Sequence, residues 1–228
     1  MATDNITRTS RLSRWALPVL LTIAVASFVA AIVLPLPWKK TTPEPAPVDA
    51  FQVVPFALTE RSGRPVSDAD LKGKVWVASF VFTRCSGPCP SVTATVARLQ
   101  SELDLANTPD LRLVTFTVDP DRDTPDELRK YADRYRAHPD HWLFLTGKEK
   151  EIHRLAKEGF KLGVSRSTDP NPPAGQEFDH STRLVVIDKA GRVRSFFDGY
   201  QGPSDVDGSR FNAEFARLKE TVAALLKE

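Results

Sequence analysis

The stretch FVFTRCSGPCP, residues 80–90, carries both cysteines of this 228-residue chain and decides how the rest of the sequence is interpreted. It begins inside an apolar run at 75–82, which is typical of a central strand covered on both faces of a sheet. Helical spacing of apolar residues follows, so Cys85 and Cys89 are predicted at the N-terminal end of a helix. Unpaired backbone N–H groups and the helix dipole stabilise a thiolate there, and Arg84 adds a positive charge.

Three residues separate the two cysteines, which places them at positions i and i+4. Two thiols at this spacing can form a disulfide or bind one soft metal ion, and the spacing alone does not choose. An ordinary thiol oxidoreductase would have two intervening residues. A purely structural disulfide is a third interpretation, but closing so short a loop adds little stability. Two thiolates are too few for structural zinc, whereas a monovalent copper ion accepts two or three soft ligands.

A third donor would have to come from one of the four histidines. His138 and His141 lie in a turn between a predicted helix and a strand, where we expect them to be solvated. His153 lies on a predicted helix and is interpreted as a surface or boundary residue. His180 follows a segment rich in proline, residues 165–178, which is interpreted as a long mobile loop, and it directly precedes a strand. In a thioredoxin-type architecture the start of that strand faces the cysteine turn, so His180 is the candidate third ligand.

Strands and helices alternate through the rest of the chain. A second strand is predicted at 111–118, and the next helix begins after Thr124, a natural N-cap. A β-hairpin is predicted across 183–197. This order of elements predicts an α/β fold, a sandwich of thioredoxin type, over residues 51–228. The remaining predicted elements are strands at 53–58 and 142–145, a helix at 148–160 and an amphipathic C-terminal helix at 211–226.

The N-terminal part of the chain has the pattern of a membrane anchor. Residues 15–38 contain no charge and are long enough to cross the hydrocarbon core as one transmembrane helix, with a tryptophan at each end. Three arginines in residues 1–14 predict a cytoplasmic N-terminal arm and place the rest of the protein outside. Residues 39–50, with three prolines at alternating positions, are predicted to form a stiff linker.

A cleaved signal peptide and a lipid anchor are the two alternatives to an uncleaved membrane anchor. Residues 24–26, Ala-Val-Ala, resemble a signal-peptide cleavage site, but the apolar run continues well past them. No cysteine stands at the end of the run, which argues against a lipid-anchored lipoprotein. The net charge of +2 resides in the N-terminal arm, and the rest of the chain is neutral, so composition gives no indication of nucleic-acid binding.

Three segments in register resemble the signatures of the SCO/SenC family: FVFTRCSGPCP at 80–90, VTFTVDPDRDTP at 114–125 and DHSTRLVVIDKAGRV at 179–193. Members are membrane-anchored copper chaperones with a thioredoxin-like fold that help assemble the copper centre of cytochrome c oxidase. The resemblance implies that Cys85, Cys89 and His180 bind copper. It also implies that Asp119 lies near the site and tunes it without being a ligand, because carboxylate is a hard donor.

The resemblance sets the expected function. We expect a protein on the outer face of the bacterial cytoplasmic membrane that delivers copper to the copper-bearing subunit of cytochrome c oxidase, or reduces that subunit's cysteines. A thiol reductant protein would be a second partner. Family members commonly have proline after the first cysteine, whereas this chain has Ser86, which strengthens the case for thiol reduction. The alternative is a membrane-tethered thiol-disulfide oxidoreductase that uses the same cysteines without metal.

Overall fold

The computed structural model describes residues 50–228. The predicted arm at 1–14, the predicted anchor at 15–38 and all but the last residue of the predicted linker at 39–50 lie outside this range and stay predictions. Among residues 50–228, none of the helices combines the length and the apolar character needed to cross a bilayer.

The described residues form ten strands. The strands are β1 (Phe51–Gln52), β2 (Ala57–Glu60), β3 (Pro65–Ser67), β4 (Val75–Val81), β5 (Leu111–Thr117), β6 (Trp142–Thr146), β7 (Val164–Arg166), β8 (Phe178–His180), β9 (Arg183–Ile187) and β10 (Arg192–Asp198). Eight of them form the mixed sheet that is the body of the domain, in the order β1-β10-β9-β4-β5-β6-β2-β3. Strands β7 and β8 pair separately as a short antiparallel ribbon.

The helices match the predicted order. Thr124 caps the second helix as expected, because its hydroxyl oxygen accepts the N–H of Glu127 at 3.4 Å. The predicted helix at 148–160 is α-helical only at first and ends in a π-helical turn. The helices are α1 (Cys89–Glu102), α2 (Pro125–Arg134), α3 (Glu149–Arg154) with its π-turn (Leu155–Gly159), and α4 (Ser209–Lys227), and short 3₁₀ turns occupy Asp68–Leu71 and Leu105–Asn107.

The centre of the sheet is the parallel trio β4, β5 and β6. All seven residues of β4 are buried, as its unbroken apolar sequence predicted. The pairing runs from Val75 opposite Leu111 to Val81 opposite Thr117, so β4 and β5 end side by side. The segments that follow these two strands, the cysteine turn and the DPDRDTP sequence, therefore meet at one edge of the sheet.

An aromatic cluster fills the core on one side of these strands. The ring of Phe116 lies 5.0 Å from that of Phe80, 5.7 Å from that of Phe56 and 5.8 Å from that of Phe160, measured between centroids. Four buried rings thus share one contact region: two from strands, one from the residue after the π-turn and one from the chain before β2. Such aromatic packing contributes both buried apolar area and specific ring geometry.

Two sequence predictions differ from the structure. The predicted loop at 165–178 is shorter, because Val164 and Phe178 are buried and their strands pair with each other across residues 167–177. The strand predicted at 53–58 is displaced in both directions, to β1 and β2, and residues 53–56 between them carry Pro55 and are not strand. In the first case each strand is three residues long and buries a single apolar side chain, which is too little pattern to predict a strand in a proline-rich segment.

The aromatic cluster gives a stability prediction. Replacing Phe116 with alanine should lower the free energy of unfolding by about 3–5 kcal/mol, because it leaves a cavity among three rings that cannot collapse together. The measurement is urea unfolding followed by circular dichroism. Val206→Ala is the control, since that side chain is 90% exposed and should change the unfolding free energy little. A loss below about 1 kcal/mol for Phe116→Ala would contradict this packing.

Candidate metal centre

The two cysteines lie on the turn that joins β4 to α1. Cys89 is the first residue of α1 and is fully buried, whereas Cys85, four residues earlier, is half-buried. The N–H of Cys85 donates to the carbonyl of Phe82 at 3.2 Å, and the N–H of Gly87 approaches the Cys85 sulfur at 3.4 Å. Both thiols are free in this structure. The predicted position at a helix N-terminus is confirmed.

His180 reaches the cysteines from the β7–β8 ribbon. It is the last residue of β8 and pairs with Val164 on β7. Its Nδ1 lies 3.0 Å from the carbonyl oxygen of Ser181, which can only accept, so Nδ1 carries the proton in the neutral ring. Its Nε2 then presents a lone pair and lies 3.2 Å from the sulfur of Cys89.

These three side chains form one cluster. The sulfur atoms of Cys85 and Cys89 and a ring nitrogen of His180 all lie within 4.8 Å of one another. The two sulfurs come from one turn. The nitrogen comes from a strand, 91 residues farther along the chain than Cys89. Two sulfurs and an unprotonated imidazole nitrogen are a soft donor set that suits Cu(I), or a thiol pair beside a proton acceptor.

The two thiols differ strongly in acidity. The pKa of Cys85 falls to about 4, mainly because the Cys89 thiol donates a hydrogen bond to it, with help from the backbone N–H groups of Cys89 and Gly87. The pKa of Cys89 is raised, because its proton is held in that hydrogen bond and because the group is buried. At neutral pH the pair is one thiolate and one thiol. The predicted role of backbone N–H groups is confirmed.

Arg84 forms an ion pair with the loop between β7 and β8. Its guanidinium lies 3.2 Å from the carboxylate of Glu177. Its charge is therefore paired with a carboxylate, and the acidity of Cys85 comes from hydrogen bonds instead.

Asp119 follows β5 and is 1% exposed. Its Oδ2 accepts from the guanidinium of Arg122 at 3.1 Å, and Arg122 also lies 3.9 Å from Glu177. Its Oδ1 is buried without a hydrogen-bond partner. Within residues 50–228 no hydrogen bond joins Asp119 to Cys85, Cys89 or His180, so its link to the cluster runs through Arg122 and Glu177.

Asp123 is a structural residue of the site that the sequence reasoning missed. It is fully buried, and its carboxylate accepts from the N–H of Thr83 at 3.0 Å, from the Thr83 hydroxyl at 2.6 Å and from the Thr117 hydroxyl. Burial raises the pKa of this carboxyl, against the effect of those hydrogen bonds. Asp123 thereby ties the segment just before Cys85 to the end of β5. Its place in the DPDRDTP sequence was the available signal.

The other histidines lie away from the cluster. His138 and His141 stack on each other with ring centroids 4.5 Å apart, just before β6 and at the opposite end of the parallel strands. They are half-buried and not simply solvated. His153 approaches the carbonyl of Val118 at 3.2 Å and packs on Phe178. None of these three histidines adds a ligand atom to the cluster of the two sulfurs.

A cavity of about 300 Å³ opens beside the cluster. The sulfur-bearing turn lines one side of it, and the β7–β8 loop and the start of β8 line the other. The lining residues are Cys85, Gly87, Pro88, Ser167, Gly175, Gln176, Phe178, Asp179 and His180.

Comparison with known proteins places the whole arrangement in one family. Residues 46–208 match SCO1/SenC. The chain is 35% identical over 152 residues to the SCO1 protein homolog of Bacillus subtilis, covering 66% of this chain and 76% of that one. It is 30% identical over 151 residues to a protein of Stutzerimonas stutzeri named as copper-binding, covering 66% and 70% of the two chains.

A solved structure has the same fold. The structure of BsSco, described as a member of the Sco family of cytochrome c oxidase assembly proteins with a disulfide switch, superposes with a TM-score of 0.63 at 29% identity. The match covers 78% of this chain and 95% of that one. The predicted thioredoxin-like α/β fold of the described domain is thereby confirmed, and the chain belongs to the SCO1/SenC family.

Proposed function

We propose that this protein is a membrane-anchored copper chaperone that holds one copper ion through Cys85, Cys89 and His180. The observation that carries the proposal is the convergence of two sulfurs and one imidazole nitrogen within 4.8 Å. Soft thiolate and imidazole donors favour Cu(I) over the hard ions that carboxylates bind. The copper-binding name of the Stutzerimonas stutzeri relative supports the choice of metal.

The protonation states prepare the cluster for a soft cation. Cys85 is already a thiolate at neutral pH, since its pKa is about 4. The proton on Nδ1 of His180 leaves Nε2 free to donate. Cys89 alone must lose a proton when the metal arrives, so binding releases about one proton and weakens as pH falls. Asp119 orients the site from a distance, through Arg122 and the loop that carries Glu177.

The place of action follows from the N-terminal sequence. Residues 15–38 anchor the chain in the bacterial cytoplasmic membrane, and the stiff linker at 39–50 holds the domain on the outer side. The partner is the copper-bearing subunit of cytochrome c oxidase, which receives copper or has its cysteines reduced. The description of BsSco as a member of a family of cytochrome c oxidase assembly proteins supports this partner.

A second function, thiol-disulfide exchange without metal, is favoured by the acidity of Cys85. A thiolate beside a protonated thiol can attack a partner disulfide, after which the sulfur of Cys89 displaces the partner. The partner gains two electrons from the pair and two protons, one from Cys89 and one from water, and the Cys85–Cys89 pair becomes a disulfide. A thiol reductant protein would then restore the dithiol. The disulfide switch described in BsSco supports this second function.

Removing the imidazole separates the two functions. In His180→Ala the affinity for Cu(I) should fall at least about tenfold, or about 1.4 kcal/mol, because two sulfurs remain without the third donor. The measurement is competition with a Cu(I) chelator on the reduced protein. Reduction of a model disulfide should change little, because both thiols remain.

The matched control is His141→Ala, which removes an imidazole at the opposite end of the strands. It should bind copper as the unaltered protein does. Equal affinity for His180→Ala and the unaltered protein would exclude the imidazole as a ligand. A reduced protein that takes up no stoichiometric copper would overturn the chaperone proposal and leave thiol exchange.

The acidity of Cys85 gives a pH prediction. Alkylation proceeds through the thiolate, so its rate should stay near maximal down to about pH 5 and fall to half near the pKa of about 4. In Cys89→Ala the principal hydrogen-bond donor is gone, so the half-point should move up toward the ordinary thiol value of about 8.5. Ser91→Ala, an exposed position in the same helical turn, is the control. An unchanged profile in Cys89→Ala would contradict the shared hydrogen bond.

A further inference from the structure

The loop between β7 and β8, residues 167–177, rests directly on the cysteine turn. The N–H of Ser86 donates to the carbonyl of Gly175 at 3.1 Å. The approach is so close that a Cβ on Gly175 would lie 2.6 Å from the Arg84 carbonyl oxygen and 2.6 Å from the Ser86 nitrogen. Gly175 also has a φ of +84°, which favours glycine. The loop is therefore seated on the turn by backbone contact.

A chain of charges crosses the same contact. The carboxylate of Glu177 lies 3.2 Å from Arg84 on the cysteine turn and 3.9 Å from Arg122 after β5, and it also accepts the N–H of Gly175 at 2.8 Å. Arg122 is fixed in turn by the buried Asp119 at 3.1 Å. Glu177 thus joins the loop to both segments that follow the two central strands.

The exposed fractions of the side chains distinguish this series of linked ion pairs from ordinary surface ion pairs. The Glu177 side chain is 13% exposed, whereas those of Arg84 and Arg122 are 52% and 42% exposed. One nearly buried carboxylate is therefore shared by two cations that face water. Water and salt reach the cations, so this contact can open without unfolding the core.

The base of the loop is held separately. Three residue pairs join β7 to β8, and Arg166 on β7 pairs with Glu149 and, at 3.1 Å, with Asp121. If the ion pairs of Glu177 with Arg84 and Arg122 break, the loop can move away from the cysteine turn while the β7–β8 ribbon and His180 stay in place. Cys85, half-buried in the cavity that the loop lines, is the donor that would become accessible.

We propose that Glu177, acting through Arg84 and Arg122, is the positioning residue of a salt-sensitive latch that holds loop 167–177 over Cys85. The latch sets the rate at which an incoming thiol reaches the Cys85 sulfur. This deepens the proposed function, because the incoming thiol would be the copper-accepting cysteine of the partner.

The test measures access to Cys85 with iodoacetamide, a neutral reagent, on the full-length, reduced, copper-free protein. Rates are taken on the pH plateau, where the thiolate fraction is constant. Glu177→Gln should react about fivefold faster, because two partly exposed ion pairs are lost. Glu102→Gln removes the same charge from a surface pair with Arg98 and Lys219 on α1 and α4, and it should react like the unaltered protein.

Salt gives a second arm that needs no variant. The rate of the unaltered protein should rise between about 0.05 and 0.5 M NaCl, because salt screens the exposed cations from Glu177. The rate of Glu177→Gln should not depend on salt, and Glu102→Gln should keep the rise. Arg84→Gln combined with Glu177→Gln should react no faster than Glu177→Gln alone.

The outcomes separate the latch from the chaperone function. Equal rates for Glu177→Gln and the unaltered protein, or an equal acceleration in Glu102→Gln, would overturn the latch. If the latch holds and the protein also binds copper, transfer of Cu(I) to a chelating dithiol should be faster in Glu177→Gln. Faster alkylation in a protein that takes up no copper would support the latch and reject the copper chaperone.

Discussion

The parallel pairing of β4 with β5 is the constraint on which the site depends. Because the strands end in register, at Val81 opposite Thr117, the cysteine turn and the DPDRDTP segment leave the sheet side by side. Asp123 then fixes the two exits to each other by accepting from Thr83 on one and Thr117 on the other. This buried carboxylate accepts three hydrogen bonds, and it thereby fixes the segment that precedes the cysteines at an edge of the sheet formed by turns.

The site has a fixed side and an adjustable side. α1 begins at Cys89 and buries that sulfur completely, and the ribbon pairing of His180 with Val164 holds the imidazole against it. Cys85 is only half-buried, under the adjustable loop, and it is also the acidic one. The group that ionises first is therefore the group that an incoming partner can reach, which suits both metal transfer and disulfide exchange.

The sequence predicted the parts of the site that depend on short-range patterns of apolar and polar residues. The apolar run before the cysteines and the helix after them predicted the cysteine turn, and the position of His180 just before a strand made it a candidate third donor. The resemblance to the family supplied the full set of three. The ribbon of β7 and β8 was missed because its strands are three residues long and frame a proline-rich loop. The partners of Arg84 and Asp123 were not predictable, because Glu177 and Thr83 lie 93 and 40 residues away along the chain.

X-ray absorption spectroscopy of the copper-loaded, reduced protein tests the central claim most directly. The account predicts an edge typical of Cu(I) and a first shell of two sulfurs and one imidazole nitrogen, with the nitrogen contribution lost in His180→Ala. A first shell made of oxygen and nitrogen without sulfur, or a nitrogen signal that persists unchanged in His180→Ala, would contradict it.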